Sequence, residues 1–193
     1  LKVSRRSFLK IAAGTRAGVT FGFPLTSCSS SGSNVASKDS NEFINAWIHI
    51  PENGPLIFTC PRSEMGQGIS TGLASLICEA MDYPIELLEV VNAPADKVYA
   101  HKAFKMQGTG ASLSTSTEWK HMLKIGASIR ATMIHAASKK LNIPEKTLKT
   151  NGGYVTYEKQ SISYQDLSKF AAKVEVKSAD HNLDIKNSKY IGK

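Results

Sequence analysis

Leu56-Ile57-Phe58-Thr59-Cys60-Pro61-Arg62-Ser63-Glu64-Met65-Gly66-Gln67-Gly68-Ile69-Ser70-Thr71 passes from an apolar run, through a polar corner with two glycines, into an amphipathic run that continues to Met81. That order predicts strand, glycine turn, helix start. Gly66 and Gly68 allow backbone angles that a residue with a Cβ resists, and they let peptide N–H groups come close to a bound group. A helix beginning at Ile69 aims its free N–H groups and positive dipole end at the same spot, which suits a phosphate. An ordinary tight turn would use the same glycines. Gly66-x-Gly68-x-x-x-Gly72 also imitates a dinucleotide-binding fingerprint, but that fingerprint follows its strand almost directly within a parallel strand–helix–strand unit. Here Pro61 to Met65 intervene and the preceding strands read as a hairpin, which argues against it.

Working outward, Phe43 to Ile50 reads as a strand, turned by Pro51-Glu52-Asn53-Gly54 into the strand Leu56 to Cys60. The helix after the glycine corner places Leu73, Leu76, Ile77 and Ala80 on one face and ends at Tyr83-Pro84. Leu87 to Val91 reads as a further strand. A loop from Asn92 to about Ser114 follows, carrying Gln107-Gly108-Thr109-Gly110-Ala111-Ser112-Leu113-Ser114. Thr115 and Glu118 have capping-box spacing and open a long helix to about Leu141. Its stripe is Trp119, Met122, Leu123, Ile125, Ile129, Met133 and Ala137, with Gly126 and Ala127 allowing close packing. Asn151-Gly152 centres a hairpin between Leu148 and Tyr157, and Ser163 caps a last helix to about Val174. The order strand, strand, helix, strand, polar loop, helix, hairpin, helix predicts an α+β fold with helices packed on a mixed or antiparallel sheet.

The 193 residues, 41% of them hydrophobic, suffice for one good core or two small ones. Five of the charges behind the net +8, on Lys2, Arg5, Arg6, Lys10 and Arg16, lie before Cys28 with no acidic residue among them, so only +3 belongs to the chain beyond Cys28. The later lysines are scattered among acids, which argues against a nucleic-acid surface. Cys28, Cys60 and Cys78 cannot supply the four thiolates of an iron–sulfur cluster and make a poor zinc set. Cys60 and Cys78 lie in apolar runs that favour buried, inert thiols, with a disulfide between them as the alternative. No residue is assigned as a metal ligand.

Ser4-Arg5-Arg6-Ser7-Phe8-Leu9-Lys10 resembles a twin-arginine export signal, with Arg5 and Arg6 as its pair. The run from Ile11 to Leu25 is too short and too interrupted for a bilayer span of about 30 Å. Leu25-Thr26-Ser27-Cys28 resembles a lipobox, in which Cys28 becomes the acylated first residue of the mature protein. The expected organisation is a signal over 1–27, a serine- and glycine-rich tether over 28–41 and a folded domain over 42–193. Contact with a membrane is expected only through the signal or a lipid on Cys28.

Two loops thus share glycines, short hydroxyls, an amide and a helix start. A pair of such loops could converge on one phosphorylated cofactor, although Ser112, Ser114 and Thr115 would also serve simply to cap a helix. Glu64-Met65-Gly66-Gln67-Gly68-x-x-Thr71, followed by Thr109-Gly110-Ala111-Ser112-x-Ser114, resembles the molybdopterin-binding part of the molybdenum hydroxylases, the xanthine dehydrogenase and aldehyde oxidase superfamily. Asn45-Ala46-Trp47, Asn92-Ala93-Pro94-Ala95-Asp96 and Tyr190-Ile191-Gly192-Lys193 are similar to the N-terminal region of its isoquinoline 1-oxidoreductase beta-subunit group, whose members are exported by the twin-arginine route.

The resemblance implies a molybdopterin-binding domain and a molybdenum cofactor in the molybdopterin cytosine dinucleotide form. Met65, Gly66, Gln67 and Gly68 would contact it from one loop, and Gly110, Ala111, Ser112, Leu113 and Ser114 from the other. It implies hydroxylation of N-heterocycles or aldehydes with water-derived oxygen, a glutamate acting as base, and electrons leaving through iron–sulfur clusters on an alpha subunit. It further implies a periplasmic location. The family's subunit is several times longer, and its segment carrying the base is not among these residues. Glu64, Glu79 and Glu118 sit in a cofactor loop, a helix and a helix start, so no catalytic residue is named. The expected protein is the cofactor-binding portion of a large subunit, inactive alone and completed by the rest of that subunit. The alternative is a stand-alone lipoprotein binding module without catalysis.

Overall fold

The computed structural model describes residues 18–21, 47–101 and 104–190. Arg5, Arg6 and Cys28, on which the signal and lipobox readings rest, lie outside the described residues, and of the expected signal over 1–27 only residues 18–21 are described.

Strands β1 (Gly18–Phe21), β2 (Ile48–Pro51), β3 (Leu56–Cys60) and β4 (Leu88–Asn92) form one sheet in that order. All five residues of β3 are buried, as expected for an apolar strand with neighbours on both edges. β2 and β3 make the anticipated hairpin, with Ile48 opposite Phe58. β3 and β4 run parallel, Leu56 beside Leu88 through Cys60 beside Asn92. The link between them is helix α1 (Ile69–Met81), so a parallel strand–helix–strand unit follows the hairpin. The hairpin was therefore no argument against such a unit. The longer corner over residues 61–68 remains what separates this chain from a dinucleotide fingerprint.

Helix α2 (Ser114–Leu141) crosses α1, and the two bury Leu73, Leu76, Ile77 and Ala80 against Met122, Ile125, Ile129 and Met133. Gly126 sits at the crossing, where an added Cβ would lie 2.5 Å from the Ile77 carbonyl oxygen. Of the stripe read from the sequence, only Trp119 is partly exposed.

Strands β5 (Lys149–Asn151), β6 (Tyr154–Tyr157) and β7 (Gln160–Ser163) form a second, antiparallel sheet, of which β7 was not anticipated. Ser163 then caps α3 (Tyr164–Ala171) by accepting from the Asp166 N–H, and this helix stops three residues sooner than expected. The second sheet docks on the C-terminal end of α1. Gly153 N–H donates to the Asp82 carbonyl (2.8 Å), the Tyr164 hydroxyl donates to the Met81 carbonyl (2.9 Å), and the Tyr83 and Tyr164 rings stack. The last segment returns to the same place. The Tyr190 hydroxyl donates to the Tyr83 carbonyl, and Lys189 pairs with Asp82.

Candidate cofactor-binding site

The strand ends Cys60 and Asn92 open into two loops, residues 61–68 and 104–113, which meet. The Ser63 N–H donates to the Thr109 hydroxyl (2.8 Å) across 46 positions of sequence. Gln107 ties the second loop to the segment after β4, accepting from the Asp96 N–H and donating to the Pro94 carbonyl, each at 2.9 Å. A cleft of about 110 Å³ lies between them, with Ser63, Asn92, Gln107 and Thr109 among its walls.

Beneath this junction Arg62 is buried. It donates to Glu118 Oε1 (2.5 Å), to the Tyr99 carbonyl (3.0 Å) and to the Pro61 carbonyl (3.2 Å). Glu118 is therefore half of a buried ion pair and not half of a capping box. The helix starts two residues earlier than a cap at Thr115 would set it, at Ser114, with Leu113 in the capping position and no side-chain cap. Thr115 is thus already inside the first turn, and Glu118 turns inward to the guanidinium.

The first loop folds on itself around Glu64. One carboxylate oxygen accepts the Gly66 and Gly68 N–H groups at 2.9 Å each, and the other accepts the Ser70 N–H at 3.0 Å. Hydrogen bonds from Ser70, Gly68 and Gly66 hold the Glu64 carboxyl below the ordinary carboxylate range. Gln67 accepts from the Met65 N–H (2.6 Å) and donates to the Ser63 carbonyl (3.0 Å). Gly66 and Gly68 have φ of 91° and 78°, so the glycines do supply the left-handed backbone expected of them. The N–H groups expected to face a phosphate are, in this structure, bonded to Glu64.

The second loop differs. Ala111 and Ser112 both have positive φ, 52° and 54°, inside a turn closed by the Leu113 N–H on the Gly110 carbonyl (3.2 Å). Gly110, Ala111 and Ser112 are exposed, and among the described residues no acceptor takes their N–H groups and no partner takes the Ser112 or Ser114 hydroxyl. Non-glycine residues held at positive φ store strain of about 1–3 kcal/mol each and concentrate at functional sites. Met65, Phe104 and Met106 are exposed beside the two loops, and the Phe104 ring stacks on His101.

Cys60 and Cys78 are free and buried, which settles the alternative of a disulfide between them. Burial raises both thiols, Cys78 to about 12. Among the described residues no three His, Cys, Asp or Glu side chains cluster as a metal site, and no helix is long and apolar enough to cross a membrane.

A profile of the molybdopterin cofactor-binding domain matches residues 7–190. The chain belongs to that family. Two curated relatives are similar to most of this chain. The beta subunit of isoquinoline 1-oxidoreductase from Brevundimonas diminuta is 29% identical over 86% of this chain and 22% of its own length. A protein of Gluconacetobacter polyoxogenes named membrane-bound aldehyde dehydrogenase [pyrroloquinoline-quinone] is 26% identical over 86% of this chain and 21% of its own. The chain thus spans about a fifth of the length of the curated relatives it matches. A solved Cu,Mo-CO dehydrogenase aligns over 62% of this chain and 15% of its own, at 20% identity and a TM-score of 0.48.

The donor set fits a molybdopterin unevenly. The second loop offers N–H groups and hydroxyls that have no partner among the described residues, which suit an anionic, acceptor-rich ligand. In the first loop the best anion position is filled by the domain's own carboxylate. Arg62, Gln107 and Thr109 were not among the site residues read from the sequence. The signal for Arg62 was available: a charged residue two positions after a largely apolar strand needs a partner if it is buried.

Proposed function

We propose that this domain forms one wall of the molybdenum-cofactor site in the large subunit of an exported molybdenum hydroxylase. The observation that carries the reading is the joined pair of loops, linked at Ser63 and Thr109, beside which Gly110, Ala111 and Ser112 present unpaired N–H groups. The N–H groups of Gly110, Ala111 and Ser112, the hydroxyls of Ser112 and Ser114, and the backbone at Leu113 would hold the pterin and its phosphates. Met65, Gly66, Gln67 and Gly68 would supply surface and shape more than donors, since the N–H groups of Met65, Gly66 and Gly68 already have acceptors within the loop. When bound, the cofactor supplies two-electron redox chemistry at molybdenum. This chain's own residues would orient it.

The finer parts of the reading rest on the family and on the relatives' names. They are a cytosine dinucleotide form of the cofactor, N-heterocyclic or aldehyde substrates, and an iron–sulfur alpha subunit as electron partner. Export through the Arg5-Arg6 signal to the periplasm, and acylation at Cys28, rest on the sequence motifs alone.

The test is a titration of the 193-residue chain with cytidine diphosphate and with released molybdopterin cofactor, followed by amide NMR. Weak, saturable shifts at Gly110 to Ser114 are expected, because a single wall encloses little of a ligand. Saturable binding that leaves those amides unmoved, or no binding by either ligand up to millimolar concentration, would overturn the reading. For targeting, Arg5→Lys with Arg6→Lys should trap the precursor in the cytoplasm, and Cys28→Ala should abolish acyl labelling.

A further inference from the structure

We propose that Glu64 is a resident anion. Its carboxylate fills the position at the start of α1 that a phosphate would otherwise take, holds the first loop in shape without ligand, and so directs external negative charge to the second loop.

Four observations support this. Both oxygens of Glu64 are engaged, by three N–H groups at 2.9, 2.9 and 3.0 Å. The capping residue of α1 is Gly68, which has no side chain to offer, and the first turn contains no acidic residue, so Glu64 alone complements the helix dipole. Met65 N–H is taken by the side chain of Gln67, whose own amide is tied to Ser63. The N–H groups of Ser63, Met65, Gly66, Gly68 and Ser70 are therefore all taken by protein side chains. Gly66 and Gly68, at φ of 91° and 78°, let the backbone curl tightly enough to present three N–H groups to one carboxylate.

A second anion entering this corner would have to displace Glu64 or sit within a few ångströms of it. Like charges that close repel. The second loop carries the complementary arrangement: Gly110, Ala111 and Ser112 N–H groups that find no acceptor among the described residues, on a turn held at positive φ. The two loops would then divide the work. One is a preformed wall and the other receives the charge. This deepens the proposed function, and it depends on that function only for the identity of the natural ligand.

The experiment uses the 15N-labelled 193-residue chain and two probes, inorganic phosphate and formate. In the wild-type chain the amides of Gly66, Gly68 and Ser70 should not respond to phosphate, whereas Gly110 to Ser112 should. In Glu64→Ala the three corner amides should gain a saturable phosphate response at least tenfold tighter than any in the wild type. Formate should return their resonances toward the wild-type positions, an effect that general destabilisation cannot produce. Glu64→Gln keeps an acceptor oxygen and serves if the alanine variant unfolds: it should stay folded and show faster hydrogen exchange at the same three amides. Three outcomes would overturn the proposal. They are an equal phosphate response at the corner in wild type and variant, a folded Glu64→Ala indifferent to both probes, and unchanged exchange in a folded Glu64→Gln. Failure of cofactor binding with the phosphate gain intact would remove the proposed ligand and leave the role of Glu64 standing.

Discussion

Arg62 and Glu118, 56 residues apart, meet in a buried ion pair with 2.5 Å between Nη2 and Oε1. One comes from the first loop and the other from the helix that follows the second, so the pair clamps the two together from below. Removing one member of such a pair leaves an uncompensated buried charge and costs about 3–5 kcal/mol, whereas replacing both with apolar residues of similar volume is often neutral. Glu118→Leu and Arg62→Met should each lower the urea midpoint steeply, and the double variant should recover most of the loss. Equal loss in single and double variants would show that the pair does not act as a unit.

Gly126→Ala tests the helix crossing. The new Cβ would stand 2.5 Å from the Ile77 carbonyl oxygen and 2.9 Å from the Ala80 Cβ, and the carbonyl belongs to backbone that cannot swing aside. Overpacking of this kind costs about 1–3 kcal/mol. Thermal unfolding should show a fall of several degrees, against the rise that glycine-to-alanine changes give in unobstructed helices.

Ala111→Gly should act in the opposite direction. With φ at 52°, Ala111 carries a Cβ where the backbone favours glycine. Relief of that strain, set against the greater freedom of glycine in the unfolded chain, predicts a stability change between zero and a gain of about 1 kcal/mol. Elsewhere in a loop the same substitution lowers stability. Denaturant titration separates the two cases.

Acid should loosen the C-terminal docking at Asp82. Burial pushes this carboxyl up, but the Lys189 ammonium, which donates to it and carries the opposite charge, pulls it further down, so it titrates below the usual aspartate range. A depressed carboxyl contributes stability that is complete above its unfolded pKa and is lost as pH falls through the folded one. Lys189→Met should lower stability at neutral pH and weaken its dependence on pH across that acid window. A parallel displacement of the whole curve would count against this account.

How much was legible in advance follows the range of each interaction. Helix α1 has the bounds read from its apolar spacing, and β3 has those of its apolar run, because both patterns are local. β7 escaped because Gln160-Ser161-Ile162-Ser163 lacks the apolar alternation that marks a strand, and only its pairing with β6 defines it. The parallel pairing of β3 with β4 was hidden for the same reason. At the site, the need for glycine at 66 and 68 was visible, yet the acceptor of their N–H groups was not. Glu64 reaches them only through the curl of the loop, just as Glu118 reaches Arg62 only through the tertiary fold. Spacing alone offered each glutamate a commoner job.

Strand β1 holds Gly18–Phe21 beside β2, with Phe21 opposite Ile48 and Gly18 opposite Pro51. These four residues precede Cys28. A protease cutting before that cysteine would carry away the outermost ribbon of the sheet and bare the hydrogen-bonding rim of Ile48–Pro51. Precursor and mature forms would then present different edges to their surroundings, the second open to pairing with another extended segment.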